Sequence, residues 1–380
     1  MRRTVFDTEH EQFRGTVQAF LARHVLPRVQ EWDAARIVDR GMFLEAGKQG
    51  LIGFAIPEAY GGPGVNDFRF NAIVDEEFSR ALAAAPGLGL ALQNDVVLPY
   101  FLDLTTAEQK SRWLPRIATG EAILAVAMTE PGAGSDLSGI RTRAVREGDV
   151  YLVDGAKTFI SNGENADLVV VAVRTGKHPH QGLTLLVVER GMAGFTRSRL
   201  EKIGLHGQDT CELAFTGVRV PVTNRLGAEG DGFAALVGNL PQERLSLALT
   251  AVAAAEGVFA LTLAYVRERT AFGQSIGSFQ HNRFLLAELA TELTIARVFA
   301  DACLGELVAG TLTAEDAAKC KWWSTELQTR VTDRCLQLHG GYGYMREYAV
   351  GRAFLDARVQ TIYGGTTEIM KEIIGRSLEL

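Results

Sequence analysis

Cysteine is scarce in this 380-residue chain. The four that occur, Cys211, Cys303, Cys320 and Cys335, have neither the paired spacing of a zinc site nor the density of a disulfide framework. The expectation is a reducing compartment, a cytoplasmic location and no metal. A basic block is missing too: 39 Lys and Arg stand against 45 Asp and Glu, for a net charge of −6. Nothing in that balance tracks a phosphate backbone, which excludes nucleic acid as a partner. Residues 1–12 lack the apolar run of a secretory signal. The one long apolar stretch, residues 245–266, is interrupted by Glu256 and flanked by polar segments. It reads as a helix buried in a soluble bundle, and no transmembrane segment is expected.

Alternation of strand and helix is also absent, so no doubly wound parallel sheet can form. What is present, with 47% hydrophobic residues, is enough to bury one large core or two to three smaller ones. Residues 1–120 carry apolar positions at helical spacing (Phe13, Val17, Phe20, Leu21, Val25) with glycine breaks at Gly61, Gly62 and Gly64. Residues 121–232 change to short β-rich runs: 151–153 before a turn at Asp154 and Gly155, then 168–173 and 183–188. Residues 233–380 return to long helical periodicity, with helices expected near 233–268, 282–309, 313–338 and 366–378 and a kink at Pro241.

Several motifs fail on inspection. Gly132-Ala133-Gly134 lacks the third glycine of a dinucleotide fingerprint, and Gly155-Ala156-Lys157-Thr158 lacks the upstream glycine of a phosphate loop and reads as a hairpin turn. Gly273-Gln274-Ser275-Ile276-Gly277 has the pattern of a nucleophile elbow, but it follows a helix end instead of a strand. His178 and His180 flank Pro179 in a polar loop and read as solvated.

One constellation holds. The segment 127–136, Ala-Met-Thr-Glu-Pro-Gly-Ala-Gly-Ser-Asp, is a hydroxyl- and glycine-rich loop whose backbone N–H groups can approach a polar planar ligand. Lys157-Thr158-Phe159-Ile160-Ser161-Asn162-Gly163 follows, offering an aromatic face and a hydroxyl. These two segments resemble, in order and separation, the flavin loops of the acyl-CoA dehydrogenase family. The resemblance continues through residues 337–344 and 362–368 and covers essentially the whole chain. It implies an α+β fold in three parts: an N-terminal helical domain, a middle β-barrel-like domain and a C-terminal helical bundle.

The resemblance further implies FAD as cofactor. Met128, Thr129, Gly134, Ser135, Phe159, Ile160 and Ser161 would contact it, with Thr129 on the pyrimidine edge, Phe159 over one ring face and Ser161 near N5. Phe159 and Ser161 replace the Trp and Thr of many relatives and keep an aromatic face and a hydroxyl. Arg269, Phe272, Gln280, Gln337, Leu338, Gly340, Gly341, Thr366 and Glu368 are further cofactor contacts, and Gln337, Gly340 and Gly341 would reach the FAD of a neighbouring subunit. A homo-oligomer is therefore expected, a tetramer built as a dimer of dimers, with an electron-transfer flavoprotein as electron acceptor and an acyl-CoA thioester as substrate.

Gly364 is the departure that matters, because most of the family carries its catalytic glutamate there. Leu240-Pro241-Gln242-Glu243-Arg244 resembles instead the long-chain and isovaleryl branch, which supplies the base from another helix, and Gly207-Gln208-Asp209-Thr210 resembles the long-chain members. By itself Glu243 reads as a helix-turn carboxylate beside Arg244. The vacancy at 364 makes it the expected α-proton base, with the Gly364 N–H as a donor to the thioester oxygen. Ser135, Arg244, Tyr363 and Gly365 are the expected thioester contacts. Burial should raise the Glu243 pKa and Arg244 oppose the rise. A carrier-protein thioester as substrate, an oxidase, a flavin monooxygenase, and a non-catalytic acyl-thioester binding protein remain open on sequence.

Overall fold

The computed structural model describes residues 2–379. Seven helices open the chain: α1 (Thr8–Phe20), α2 (Val29–Ala35), α3 (Arg40–Lys48), α4 (Phe68–Arg80), α5 (Ala84–Ala91), α6 (Leu98–Asp103) and α7 (Ala107–Ala118). Capping boxes start α1 at Asp7 and α7 at Thr106, satisfying donors that a helix start leaves open. The helical stripe expected from sequence is the buried one: Val17, Phe20, Leu21 and Val25 enter a cluster with Trp32, Phe43 and Phe78, and Phe13 packs on its edge.

Eight strands follow: β1 (Leu124–Ala127), β2 (Arg143–Glu147), β3 (Val150–Ser161), β4 (Leu168–Arg174), β5 (Leu183–Glu189), β6 (Phe195–Arg199), β7 (Thr210–Pro221) and β8 (Arg225–Leu226). Their order is β6-β7-β3-β2-β4-β5-β8, with β1 parallel to β4. The sheet curls so that β1, β3, β4, β5 and β7 enclose one apolar cluster containing Tyr151, Val169, Val171 and Leu213. The alternate residues of β4, Leu168, Val170 and Ala172, face a second cluster with Phe101 and Trp113 of the helical part. Burial on both faces explains why these strands read as continuous Val-rich runs.

The hairpin turn placed at 154–158 is a correction. The turn lies at Gly148 (φ 61°), and β3 runs unbroken from Val150 to Ser161. Gly155 sits instead at a bulge where a Cβ would lie 2.6 Å from Thr142 Oγ1, so its glycine serves close strand passage.

The chain ends with α8 (Gly232–Glu268), the hairpin strands β9 (Thr270–Ala271) and β10 (Gln274–Ser275), then α9 (Gln280–Val308), α10 (Ala314–His339), α11 (Ala349–Ala357) and α12 (Thr367–Ser377). α8 is helical on both sides of Pro241, which forfeits a hydrogen bond to the Val237 carbonyl without ending the helix. Among the described residues α8 alone is long and apolar enough to cross a membrane, and half of its most apolar stretch is buried inside the protein. The partners are α4, α9 and α10, whose side chains share its cluster of Leu245, Leu249 and Val252 with Leu293 and Leu327. α11 was not anticipated: at nine residues, with only Val350 and Ala357 buried, it is shorter than the helices that long periodicity marks.

Candidate active site

Glu243 lies in the first half of α8 with 5% of its surface exposed. Its Oε1 accepts from Tyr100 Oη of α6 at 3.2 Å and from Asn239 Nδ2, one turn earlier on α8, at 2.9 Å. Burial pushes the carboxyl up to about 7, against the two hydrogen bonds and the weaker pull of Arg244. Burial therefore wins the contest that the sequence left undecided, and it leaves the group poised near neutral pH as a base requires.

Arg244 points to the turn before α12. Its Nε donates to the Gly364 carbonyl at 3.4 Å, and Lys321 Nζ of α10 donates to the Gly365 carbonyl at 2.7 Å. Gly364 and Gly365 have φ of 65° and 98°, in the left-handed region. A Cβ at Gly364 would lie 2.3 Å from Leu247 Cδ1, so the α8 residue one turn beyond Glu243 fills the space where a side chain at 364 would begin. Tyr363 is part-buried beside this turn, its hydroxyl pushed up by burial and then by Asp356 and Asp75.

The two loops expected to face a cofactor are tied together. Thr158 N donates to the Thr129 carbonyl at 2.9 Å. The fully buried Lys157 donates to the Met128 carbonyl at 2.9 Å and to Glu130 Oε1 at 2.8 Å. Glu130 in turn accepts from the N–H groups of Arg141 and Thr142. Burial pulls Lys157 down to about 8 despite Glu130. At a bulge on this staple Phe159 takes φ 60° and stays 68% exposed. A strained non-glycine backbone holding a large aromatic in solvent is a structural commitment to a ligand face. Ser161 is part-buried beside it, Ile160 is turned into the core, and Met128 and Thr129 are part-buried. Gly134 and Ser135 are exposed, with open space around Gly134. These residues fit a flat aromatic cofactor such as FAD.

A second group lies elsewhere. Leu338, Gly340 and Gly341 at the end of α10 and Arg269 at the end of α8 line a cavity of about 430 Å³ that includes neither Thr129, Phe159 nor Ser161. Phe272 is 96% exposed at the tip of the β9–β10 hairpin, and Gln280 and Gln337 are exposed nearby in sequence. Phe272 and Gly273 both have positive φ, which makes Gly273 a turn glycine and leaves Ser275 on a strand of that hairpin. Thr366 caps α12, accepting from Ile369 N at 3.3 Å, and Glu368 is exposed in its first turn.

Sequence reasoning missed Tyr100, Lys321 and the Lys157–Glu130 staple. Asn239, four residues before Glu243 on one helix, was within reach of a spacing argument; the others come from distant segments and gave no signal. Asp7, Glu9 and His10 cluster closely enough to suggest a metal, but both His10 nitrogens are engaged, by Asp7 N at 3.2 Å and by Asp67 Oδ2 at 3.2 Å.

Three domain families match in order: the acyl-CoA dehydrogenase N-terminal domain over residues 7–121, the middle domain over 125–218 and the C-terminal domain over 230–379. The chain is 44% identical over 99% of its length, and 88% of the relative, to the mitochondrial long-chain specific acyl-CoA dehydrogenase of Rattus norvegicus. Among solved structures it superposes on an acyl-CoA dehydrogenase from Geobacillus kaustophilus with a TM-score of 0.97, 46% identity and full coverage of both chains. A glutaryl-CoA dehydrogenase from Mycobacterium smegmatis in complex with FADH2 superposes at 0.92, with 26% identity over 98% of this chain and 95% of that one. The chain belongs to the acyl-CoA dehydrogenase family, FAD-dependent oxidoreductases that act on a CH–CH group.

Proposed function

We propose that the enzyme converts an acyl-CoA thioester to its trans-2-enoyl product, with Glu243 as the base. The observation that carries the reading is a buried carboxyl raised to about 7 whose helix packs on the Gly364–Gly365 turn through Leu247 and Arg244. Glu243 takes the α proton, the β hydrogen leaves as hydride, and the C–C bond gains its second pair of electrons. FAD, when bound, supplies the hydride acceptor. Thr129, Phe159 and Ser161 would hold its ring, with Met128, Gly134 and Ser135 around them and Ile160 anchoring the strand between Phe159 and Ser161 from the core. An α C–H of a thioester is a weak acid, and donors fixed on its oxygen contribute on the order of 3 kcal/mol each. The Gly364 N–H takes that role, while Ser135, Tyr363 and Gly365 line the thioester and Arg244 supports the turn.

Gln337, Gly340 and Gly341 serve the cofactor of an adjoining subunit in a homotetramer, and Arg269, Phe272, Gln280, Leu338, Thr366 and Glu368 are further cofactor contacts. The cavity at Arg269, Leu338, Gly340 and Gly341, which does not include Phe159, and the exposed Phe272, Phe284, Ile295 and Tyr344 support that reading. We divide the chain into domains at 1–120, 121–232 and 233–380, place it in the cytoplasm, in keeping with its four free buried cysteines, and assign an electron-transfer flavoprotein as acceptor. The test is anaerobic mixing of the yellow enzyme with straight-chain, branched and aromatic acyl-CoAs. The native enzyme bleaches, whereas Glu243→Gln binds FAD and ligand without bleaching; native-like bleaching of that variant removes Glu243 from the mechanism.

A further inference from the structure

A turn of two glycines is a poor platform for catalysis. With no Cβ on either residue, nothing steric restrains its peptide planes, and donors that must be fixed before the reaction begins would wander. In this molecule the restraint comes from two buried cations. Lys321 is 0% exposed and Arg244 6% exposed, and they donate to the carbonyls of consecutive residues, Gly365 and Gly364.

Neither cation has a carboxylate within 4.0 Å among the described residues. Arg244 feels Glu243 only at longer range, and Lys321 feels Glu368, which is exposed on α12, and the like charge of Arg244. The other two buried cations are paired, Arg297 with Glu76 and Glu256 and Lys157 with Glu130, whereas the part-buried Arg197, like Lys321 and Arg244, donates to backbone carbonyls. Removing an ion from water without a counter-ion costs several kcal/mol. A glutamine would hold a single carbonyl without that cost. The charge is therefore retained for something other than closing one backbone hydrogen bond.

Resting on Glu243 as base, we propose that Lys321 is a positioning residue for the thioester carbonyl. By gripping the Gly365 carbonyl while Arg244 grips that of Gly364, it fixes the two peptide planes that follow these residues, whose N–H groups belong to Gly365 and Thr366, and so restrains the glycine turn from which the Gly364 N–H meets the substrate oxygen. Its positive charge also faces the negative charge that develops on that oxygen as the α proton leaves.

The test uses the holoenzyme with Lys321→Met, which keeps the length and removes the charge, and Lys321→Arg, which restores a cation. Lys321→Met should lower kcat by 10- to 100-fold with KM within threefold of the native value, and Lys321→Arg should recover at least a third of the loss on a logarithmic scale. Isotope-edited infrared spectra of the bound enoyl thioester give a reading independent of the base. Its C=O stretch, lowered on the native enzyme, should move back toward the free value in Lys321→Met and remain lowered in Glu243→Gln.

A Lys321→Met enzyme with native kcat and native C=O stretch overturns the proposal. So does a loss that tracks FAD content and melting temperature and that Lys321→Arg leaves unrepaired, since that marks a packing role. Lys321→Gln, which keeps an N–H donor, carries the same expectations at smaller amplitude should the methionine variant yield no soluble holoenzyme. If Glu243→Gln instead bleaches normally, the base assignment fails while the infrared comparison still decides whether Lys321 polarises the carbonyl.

Discussion

Two of the three glutamates on helix α8 are treated by the fold in opposite ways. Glu256, in its second half, accepts from Arg297 at 2.9 and 2.8 Å and from Arg80 at 3.0 Å, in a network that runs through Glu76 to Arg3 and Arg14. Burial acts to raise the pKa of both Glu76 and Glu256, but the arginines win, holding Glu256 below its ordinary value and Glu76 at about 2. Glu243 has only neutral donors, a phenol and an amide, and burial carries it to about 7. One helix thus holds an anion in its more exposed second half and a carboxyl raised toward neutral pH in its buried first half. The difference is whether a cation is placed on the carboxylate or beside it: Arg244 adjoins Glu243 in sequence but spends its hydrogen bond on Gly364.

The sharpest way to break this contrast is Glu243→Gln, expected to lower the rate of flavin reduction by about 10²- to 10⁴-fold while the fold stands. Next in size is Arg297→Met. Leaving Glu76 and Glu256 without their shared cation should destabilise the protein by about 3–5 kcal/mol, seen in the denaturation midpoint, with the turnover of the remaining folded enzyme unchanged.

The pH dependence of stability separates Glu243 by sign from Glu76, the carboxylate that shares Arg297 with Glu256. The Glu243 pKa is raised on folding from 4.5 to about 7, so its contribution is full below pH 4.5 and lost as pH rises through 7. The native enzyme should lose on the order of 3 kcal/mol relative to Glu243→Gln across that window, measured by denaturant unfolding at each pH. The Glu76 pKa is depressed from 4.5 to about 2, so its contribution is present above 4.5 and lost only as pH falls toward 2. The smallest expected effect belongs to Tyr100→Phe. Removing a donor to the carboxylate should move the acid limb of the kcat/KM profile upward by roughly half to one unit, and an unmoved limb would show that the Tyr100 hydrogen bond does not tune the base.

Much of the site was legible along the chain because its pieces are local. The Thr129 loop, the Phe159-Ile160-Ser161 segment and the glycine at 364 each sit within a short stretch, and their order alone carried the resemblance. Even there local reasoning failed once: Asp154-Gly155 has the residues of a turn, and only the close passage of Thr142 shows that the glycine serves a bulge inside β3.

By itself, then, the sequence determined the three-part order of helices, sheet and bundle, the cofactor loops and the pairing of a glycine at 364 with a glutamate at 243. The first follows from periodicity, which a linear chain records directly; the loops and the pairing follow from short motifs whose order resembles that of the acyl-CoA dehydrogenases. Only the tertiary structure decided that Tyr100 reaches Glu243, that Lys321 reaches Gly365 and that burial outweighs Arg244 in setting the base near 7. Desolvation and charge depend on what the whole fold excludes and on which distant helices meet, and no interval along the chain encodes either.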